Sequence, residues 1–457
     1  MNRRPLVGLL LAETVSLAGS RMSMIALPWF TLVITGSPAR TGVVAFAEML
    51  PYVLACALGG PLIDRIGARR MSIGADVISG VVVAAVPLLH GAGLLGFGTF
   101  AALVAAAGLA RGFGDTSKRV VFPETVAASG LAMTRATSLH DGLNRLAGLL
   151  GAPLAGLLIA ALDAPAVLAL DAATFAVAAL LVAVLVPLGR SARADVSEDR
   201  EPYLVAIRGG LRFLRRDRLI LGMLIMLFVT NLADTAYGGV IGPVWARDVV
   251  ASPVALGFLS ASFATGAVLG NVVFTAVATK VPRFPVFAVG FLLAGSPRFV
   301  VLAVADRPWV VYGVSFVAGV SIAAVNPIIG ALSYERIPKH LHARVLGLSH
   351  ALAWAGIPLG GLLGGLAVDQ LRLSAAALLF GAAYLAVTLV PFLDPSWRGM
   401  DRKGSEVADS VDGGDRGDRR GGQPDQVLRS ELHLQPAPAG GDVDGRELLG
   451  GRVDDGR

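Results

Sequence analysis

The chain has 457 residues, 54% of them hydrophobic and only 16% charged, whereas a soluble domain of ordinary composition carries roughly 25% charge. That balance excludes a water-soluble globular fold and makes lipid the solvent for most of the length. The net charge of +6 does not call for a nucleic-acid partner, because the basic residues lie in short connections between apolar runs, the positive-inside distribution of a membrane protein. The single cysteine, Cys56, sits within an apolar run, so no disulfide framework exists.

Asn2-Arg3-Arg4 ahead of an apolar stretch has the outline of a secretory signal, yet the stretch continues to Thr35 without a small-residue cleavage site and is read as the first span. Apolar runs of about 20 residues, long enough at ~1.5 Å per residue to cross a hydrocarbon core of about 30 Å, predict helices over 6–35, 41–63, 71–92, 96–117, 137–162 and 165–188. A second set follows over 219–246, 254–279, 284–304, 309–333, 344–368 and 373–393. Arg3 and Arg4, then Arg65, Arg69 and Arg70, then Lys118, Arg119 and Arg135, then the group from Arg190 to Arg218, then Lys280 and Arg283, then Arg336, Lys339 and Arg344 fall in alternate connections, which are expected to be cytoplasmic. The other connections hold single arginines, Arg40, Arg247, Arg307 and Arg372, and are expected to face outward. Both termini are then cytoplasmic.

The polar stretch around 190–218 divides a first half, 1–189, from a second, 219–395. Within it Tyr203, Ile207, Leu211 and Leu214 recur at helical spacing while Arg208, Arg212, Arg215 and Arg216 occupy other faces, as in either an interfacial helix drawn to anionic lipid or a solvated linker helix. The tail, 396–457, is rich in Gly, Asp and Arg and poor in aromatics from about Gly399, so disorder is expected there.

The halves repeat each other. Pro28, Ser37-Pro38 and Gly42 recur 215 positions later as Pro243, Ser252-Pro253 and Gly257. Gly151-Ala152-Pro153-Leu154-Ala155-Gly156-Leu157-Leu158 recurs as Gly356-Ile357-Pro358-Leu359-Gly360-Gly361-Leu362-Leu363. Because each half has six spans, the second enters the membrane with the same polarity as the first, giving parallel repeats with a midplane cavity between them.

After the second span the sequence reads Gly60-Pro61-Leu62-Ile63-Asp64-Arg65-Ile66-Gly67-Ala68-Arg69-Arg70. This closely resembles the loop between helices two and three of the major facilitator superfamily. Leu149-Leu150-Gly151-Ala152-Pro153, Asp171-Ala172-Ala173-Thr174-Phe175, and Arg344 ahead of Pro358-Leu359-Gly360-Gly361 resemble its exporter branch, which includes macrolide-efflux and enterobactin-export proteins. The resemblance implies an all-α membrane fold of twelve helices. It implies gating roles for Asp64 and Arg65, since in the family this loop latches the outward-open state; Gly60, Gly67, Arg69 and Arg70 complete the motif. Gly151, Pro153 and Gly156 are similar to the family's antiporter helix-bend motif, with Ala152 inserted between Gly151 and Pro153.

Charges inside spans locate function, because a charge at the bilayer centre costs roughly 2.5 to 3.5 kcal/mol on translocon scales and persists only beside a partner or a cavity. Arg111 with Asp115, and Asp141 with Arg145, stand four residues apart and are expected to pair along their own helices. Glu13, Arg21, Glu48, Asp234 with Asn231, and Arg298 have no partner at helical spacing. Glu13, Glu48 and Asp234 are therefore proton-coupling candidates, the alternative being a static interhelical pair such as either acid with Arg21. His90, His140 and His350 are scattered and read as structural. No phosphate-cradling loop, zinc spacing or Ser-His-Asp grouping is present, so neither an enzyme nor a cofactor or metal is expected.

The expectation is a monomeric proton-coupled exporter of hydrophobic or amphipathic small molecules in a bacterial-type inner membrane, with substrate, protons and lipid as its partners. An importer or flippase on the same fold, and a non-transporting receptor or scaffold, are the alternatives.

Overall fold

The computed structural model describes residues 3–187, 211–278, 280–337 and 342–401. Most of the central stretch, including Tyr203, Ile207 and Arg208, and the tail beyond Asp401 lie outside the described residues. Residues 211–216 are helical, and Leu214 is fully buried against Ile220, Leu224, Ile337 and Val345.

Helix starts follow from local chemistry. Ser37 is extended and its hydroxyl accepts the Arg40 N–H at 3.3 Å, while Pro38 occupies the first helical turn, where a missing N–H costs no hydrogen bond. Ser252-Pro253 begins the equivalent helix of the second half with the same extended residue followed by proline. At the end of span 6 the guanidinium of Arg69 donates to the carbonyls of Val186 at 2.5 Å and Ala183 at 2.6 Å, satisfying acceptors that the helix itself leaves unpaired.

Among the described residues, eleven stretches are long and apolar enough to cross a membrane: Arg4–Thr35, Pro38–Leu58, Ala68–Gly91, Phe97–Ser129, Arg135–Leu162, Ala164–Leu185, Arg218–Asp248, Pro253–Val277, Arg283–Val304, Pro308–Ser333 and Val345–Leu393. The last has 49 residues, which as one rod would exceed 70 Å (about 1.5 Å per residue) and could not fit a single crossing. It is interrupted at Arg372, whose φ of 66° and ψ of 165° leave helical geometry. Before that point Gly356, Gly361 and Gly365 lie against the seventh and second spans; after it Gly381 and Tyr384 lie against Phe299 and Gly295 of the ninth. The two arms are spans 11 and 12, so the described residues form twelve spans.

Several spans depart from the sequence expectation. The fourth helix runs to Ser129 rather than ending at 117, so Lys118 and Arg119 are helical residues and not loop residues; a buried partner for Lys118, described below, removes the cost of its charge. The second span ends at Leu58, and Gly60–Ile66 forms a separate short helix before the turn at Gly67, whose φ of 92° suits glycine. The seventh span contains a π-helical segment, Tyr237–Ile241. The first residues beyond the twelfth span also pack: Pro395–Asp401 forms a 3-10 helix, Trp397 is buried beside Phe287, and Asp401 Oδ1 accepts the N–H groups of Arg283 and Phe284, capping the ninth span.

Apolar side chains such as Val81, Val184 and Val272 are about two-thirds exposed on the outside of the bundle, as a surface solvated by hydrocarbon requires. Inside, helices cross through glycines. Gly42 meets Gly361 and Gly365, joining spans 2 and 11; Gly156 meets Gly257, joining spans 5 and 8. A Cβ on Gly42 would stand 2.5 Å from the Gly361 carbonyl oxygen, and one on Gly156 would stand 3.0 Å from that of Pro253. Both crossings lie near the end of the bundle that carries the 36–37 and 249–252 turns, where Arg247 Nη1 also donates to the Leu32 carbonyl at 3.1 Å. They join the two halves there.

Gly295 shows how tightly the second half is fitted: a Cβ there would come 1.8 Å from Cε1 of the buried Tyr384 ring. Gly295→Ala is expected to destabilise the fold by about 1–3 kcal/mol or more through overpacking, read as a lower melting temperature of the detergent-solubilised chain; an unchanged melting temperature would refute this packing.

Candidate functional site

Away from the glycine crossings the halves part around a cavity of about 710 Å³. Span 1 lines it with Glu13, Ser16, Ser20, Arg21, Met24 and Ile25, and span 2 with Thr41, Glu48, Met49 and Tyr52. Span 4 adds Arg111, Asp115, Lys118 and Arg119, and span 5 adds His140 and Asn144. The second half supplies Asn231, Asp234 and Thr235 from span 7, Ser260 from span 8, and Trp354 and Ile357 from span 11. The apolar part of this lining accommodates a lipophilic body, and the polar groups are few enough to orient it.

The interhelical charges pair differently from the sequence expectation. Arg111 does not bind Asp115 one turn along its own helix; its Nη1 is 2.9 Å from Glu48 Oε1 on span 2, and its guanidinium lies over the Tyr52 ring at 4.9 Å. Asp115 instead accepts the Tyr52 hydroxyl at 3.1 Å. Close approach of spans 2 and 4 through Gly108 and Gly112, against the backbone of Glu48 and Tyr52, brings these groups together. Asp234 and Arg298, read as separate unpaired charges, form one pair at 2.5 Å, with Arg298 held between the rings of Tyr237 and Phe263. Asn231 is committed elsewhere, its Nδ2 donating to the Ala353 carbonyl at 2.9 Å.

Glu13 is paired as well, by a residue that sequence reasoning set aside. His140 Nε2 lies 2.8 Å from Glu13 Oε2, and its Nδ1 lies 3.8 Å from Asp141. The side chain of Asp141 is largely exposed; the side chain of Arg145 lies outside the described residues, and with it the expected Asp141–Arg145 pair. The suggestion that Arg21 pairs with an acid is also corrected. Glu13 is eight residues away, about 12 Å along the same helix, and Glu48 and Asp234 are taken by Arg111 and Arg298.

Two further buried acids carried only a faint sequence signal. Asp76 in span 3 binds Lys118 Nζ at 2.8 Å, both nearly inaccessible. Asp171 in span 6 accepts the Ser23 hydroxyl and, at 3.1 Å, that of Thr174. A Cβ on Gly19 would overlap Thr174 and Asp171, which accounts for glycine at that point of span 1. Asp171 borders a small internal void shared with Glu48 and Arg111. Among the described residues, no three His, Cys, Asp or Glu side chains converge as a metal site.

The loop motif divides by role. Arg69 is pinned to the end of span 6, as described above, whereas Gly60, Asp64, Arg65 and Arg70 are exposed, on the side of the bundle remote from the glycine crossings. In the bend motif, Gly156 supplies a crossing between halves; Gly151 lets span 5 pack on Arg21, since a Cβ there would lie 2.6 Å from that of Arg21. Pro153 is within the fifth helix, beside Gly257.

Breaking one partner of a buried pair strands the other charge at a cost of about 3–5 kcal/mol, more than the intact pair contributes. Arg111→Met is expected to lower the melting temperature in detergent sharply, and the double variant Glu48→Gln with Arg111→Met to recover most of the loss. Equal destabilisation in the single and double variants would refute the pairing.

A sequence profile described as "Major Facilitator Superfamily" matches residues 9–235 and 223–420, one match to each half. The chain is 31% identical over 408 residues to "Multidrug efflux pump Tap" of Mycobacterium tuberculosis and of Mycobacterium bovis, covering 88% of this chain and 96% of those proteins. It is 27% identical over 406 residues to the Tap pump of Mycolicibacterium fortuitum, covering 87% of this chain and 98% of that one. A mutant form of the nucleoside transporter NupG superposes with a TM-score of 0.72 at 13% identity, covering 86% of this chain and 99% of its own. A bacterial homolog of the human lysosomal transporter Spinster, in an inward-facing and unoccupied conformation, superposes with a TM-score of 0.63 at 13% identity over 89% of this chain and 98% of its own. Twelve spans in two repeats, a cavity between the halves and the profile match together make this chain a multi-pass membrane transporter belonging to the major facilitator superfamily.

Proposed function

We propose that the chain is a proton-driven exporter of lipophilic and amphipathic small molecules, drugs among them, working as a monomer by alternating access in a bacterial-type cytoplasmic membrane. The observation that carries this reading is the largely apolar cavity between halves, with Glu13, Glu48 and Asp234 at its wall and a glycine-packed closure at one end only. Relatives 31% identical across nearly their whole length carry the name of multidrug efflux pumps, which favours export over import.

In this reading the halves 1–189 and 219–395 rock about the Gly42–Gly361 and Gly156–Gly257 crossings, linked by the 190–218 loop, with the 396–457 tail beyond. The basic connections face the cytoplasm by the positive-inside rule, as do both termini. The conformation described above is then open inward. Asp64 and Arg65, exposed at that open side, are free of the latch they form when the cavity faces outward. Each of the three acids takes a proton once its basic neighbour is displaced: His140 from Glu13, Arg111 from Glu48, Arg298 from Asp234. A carboxylate deprived of its cation in an apolar wall favours the neutral form, which couples protonation to rearrangement of the pair.

Inverted membrane vesicles containing the full chain are expected to accumulate Hoechst 33342 against its gradient when energised and to lose that accumulation on adding a protonophore. Glu13→Gln, Glu48→Gln or Asp234→Asn should abolish uphill accumulation in at least one case while preserving downhill flux. If all three variants keep full uphill flux, the coupling assignment is wrong; if whole cells expressing the chain gain dye instead of losing it, the direction is wrong.

A further inference from the structure

Among the described residues, the buried cations around the cavity have acidic partners in every case but one. Arg111 has Glu48 at 2.9 Å and Lys118 has Asp76 at 2.8 Å. Arg119 is exposed and solvated. Arg21, half-buried at the cavity wall, has no carboxylate within ion-pair distance among the described residues. Its Nη1 meets only the Met24 thioether, at 3.7 Å, and its Nε is buried with no acceptor at all.

A guanidinium left in this condition carries the desolvation cost of a charge in an apolar setting without the compensation that the other cavity cations receive. Its base is fixed nonetheless: span 5 packs directly on the Arg21 Cβ at Gly151, so the side chain starts from a defined position and extends along the cavity wall. A planar fork with unused donors presents the geometry that a carboxylate accepts bidentately. The compensating anion is therefore to be supplied from within the cavity.

We propose that Arg21 binds the acidic group of an amphoteric, lipophilic substrate, an inference that rests on the efflux reading above and narrows its substrate class. The apolar body lies along Met24, Ile25 and Ile357, the anion is held by Arg21 in the first half, and any basic group is left to Asp115, whose partner is the Tyr52 hydroxyl. Molecules that lack an acid enter the same cavity but leave Arg21 uncompensated, and bind less tightly. This distinguishes the site from one built only for lipophilic cations.

Rhodamine B and its ethyl ester share one xanthylium cation and nearly one shape, and differ in a free carboxylate. Their binding to the purified full chain in detergent, followed by fluorescence anisotropy, separates the carboxylate contribution without needing a proton gradient. The native chain is expected to prefer the acid by about tenfold, the size of a charge-assisted hydrogen-bonded contact. Arg21→Gln should bring the affinity ratio close to one, and Arg21→Lys should keep part of the preference; each variant's melting temperature checks that it folds. Equal binding of the two dyes by the native chain, or an unchanged preference in a folded Arg21→Gln, overturns the assignment to Arg21 while leaving efflux standing. Binding of neither dye by the folded native chain overturns both.

Discussion

The architecture depends on two helix crossings made without side chains. Gly42 against Gly361 and Gly365, and Gly156 against Gly257, bring backbones of opposite halves into contact, and the two crossings are equivalent, since Gly42 matches Gly257 and Gly156 matches Gly361 in the repeats. In lipid there is no hydrophobic force to press helices together, so association relies on van der Waals contact and on polar groups, and small residues allow the closest approach. Bare backbones also slide and tilt more readily than interdigitated side chains. In the proposed mechanism a contact of this kind, near the end that carries the 36–37 and 249–252 turns, joins the halves while the other end opens.

The electrostatics follow from the same solvent. A charge in hydrocarbon needs a partner, and the molecule meets that need between helices rather than along them: Glu48 with Arg111, Asp76 with Lys118, Asp234 with Arg298, Glu13 with His140. Interhelical pairs hold neighbouring spans in register within a half. In the proposed mechanism they also make each acid's state depend on helix position, the physical link there between protonation and movement. Arg21 stands apart because, among the described residues, no carboxylate lies within ion-pair distance of it and its Nη1 meets Met24.

Much of the fold was legible because lipid imposes simple rules. Runs of about 20 apolar residues had to be crossings, and the recurrence of Ser37-Pro38-Gly42 as Ser252-Pro253-Gly257 exposed the duplication. Those landmarks turned out to be helix starts and interface glycines, positions where only a few residue types serve. Boundaries were less legible where a buried pair hid a charge. Lys118 resembled a loop residue because its partner, Asp76, is 42 positions away and on another helix.

The site was legible as a set of residues and illegible as a set of partners. Of the six candidates, Glu13, Arg21, Glu48, Asn231 and Asp234 line one cavity, while Arg298 is not among its lining residues; helical spacing detects only contacts about four residues apart. The partners that matter are separated by 63 to 127 positions. His140 was passed over because nothing local distinguishes it; only the packing of spans 1 and 5 sets it against Glu13. Trp354 and Tyr52 were missed for the same reason.

The central claim, that the halves pivot about the glycine crossings, is tested most directly by wedging one of them. In a Cys56→Ser background, spin labels at Ile66 and Glu335 report the end remote from the crossings, and labels at Leu94 and Val249 report the end that carries them. Introducing Gly361→Leu should force the glycine end apart. Double electron–electron resonance should then show the Leu94–Val249 distance lengthening while the Ile66–Glu335 distance shortens. Two distances that stay at their native values in a folded variant, or that change in the same direction, would contradict a pivot at these glycines.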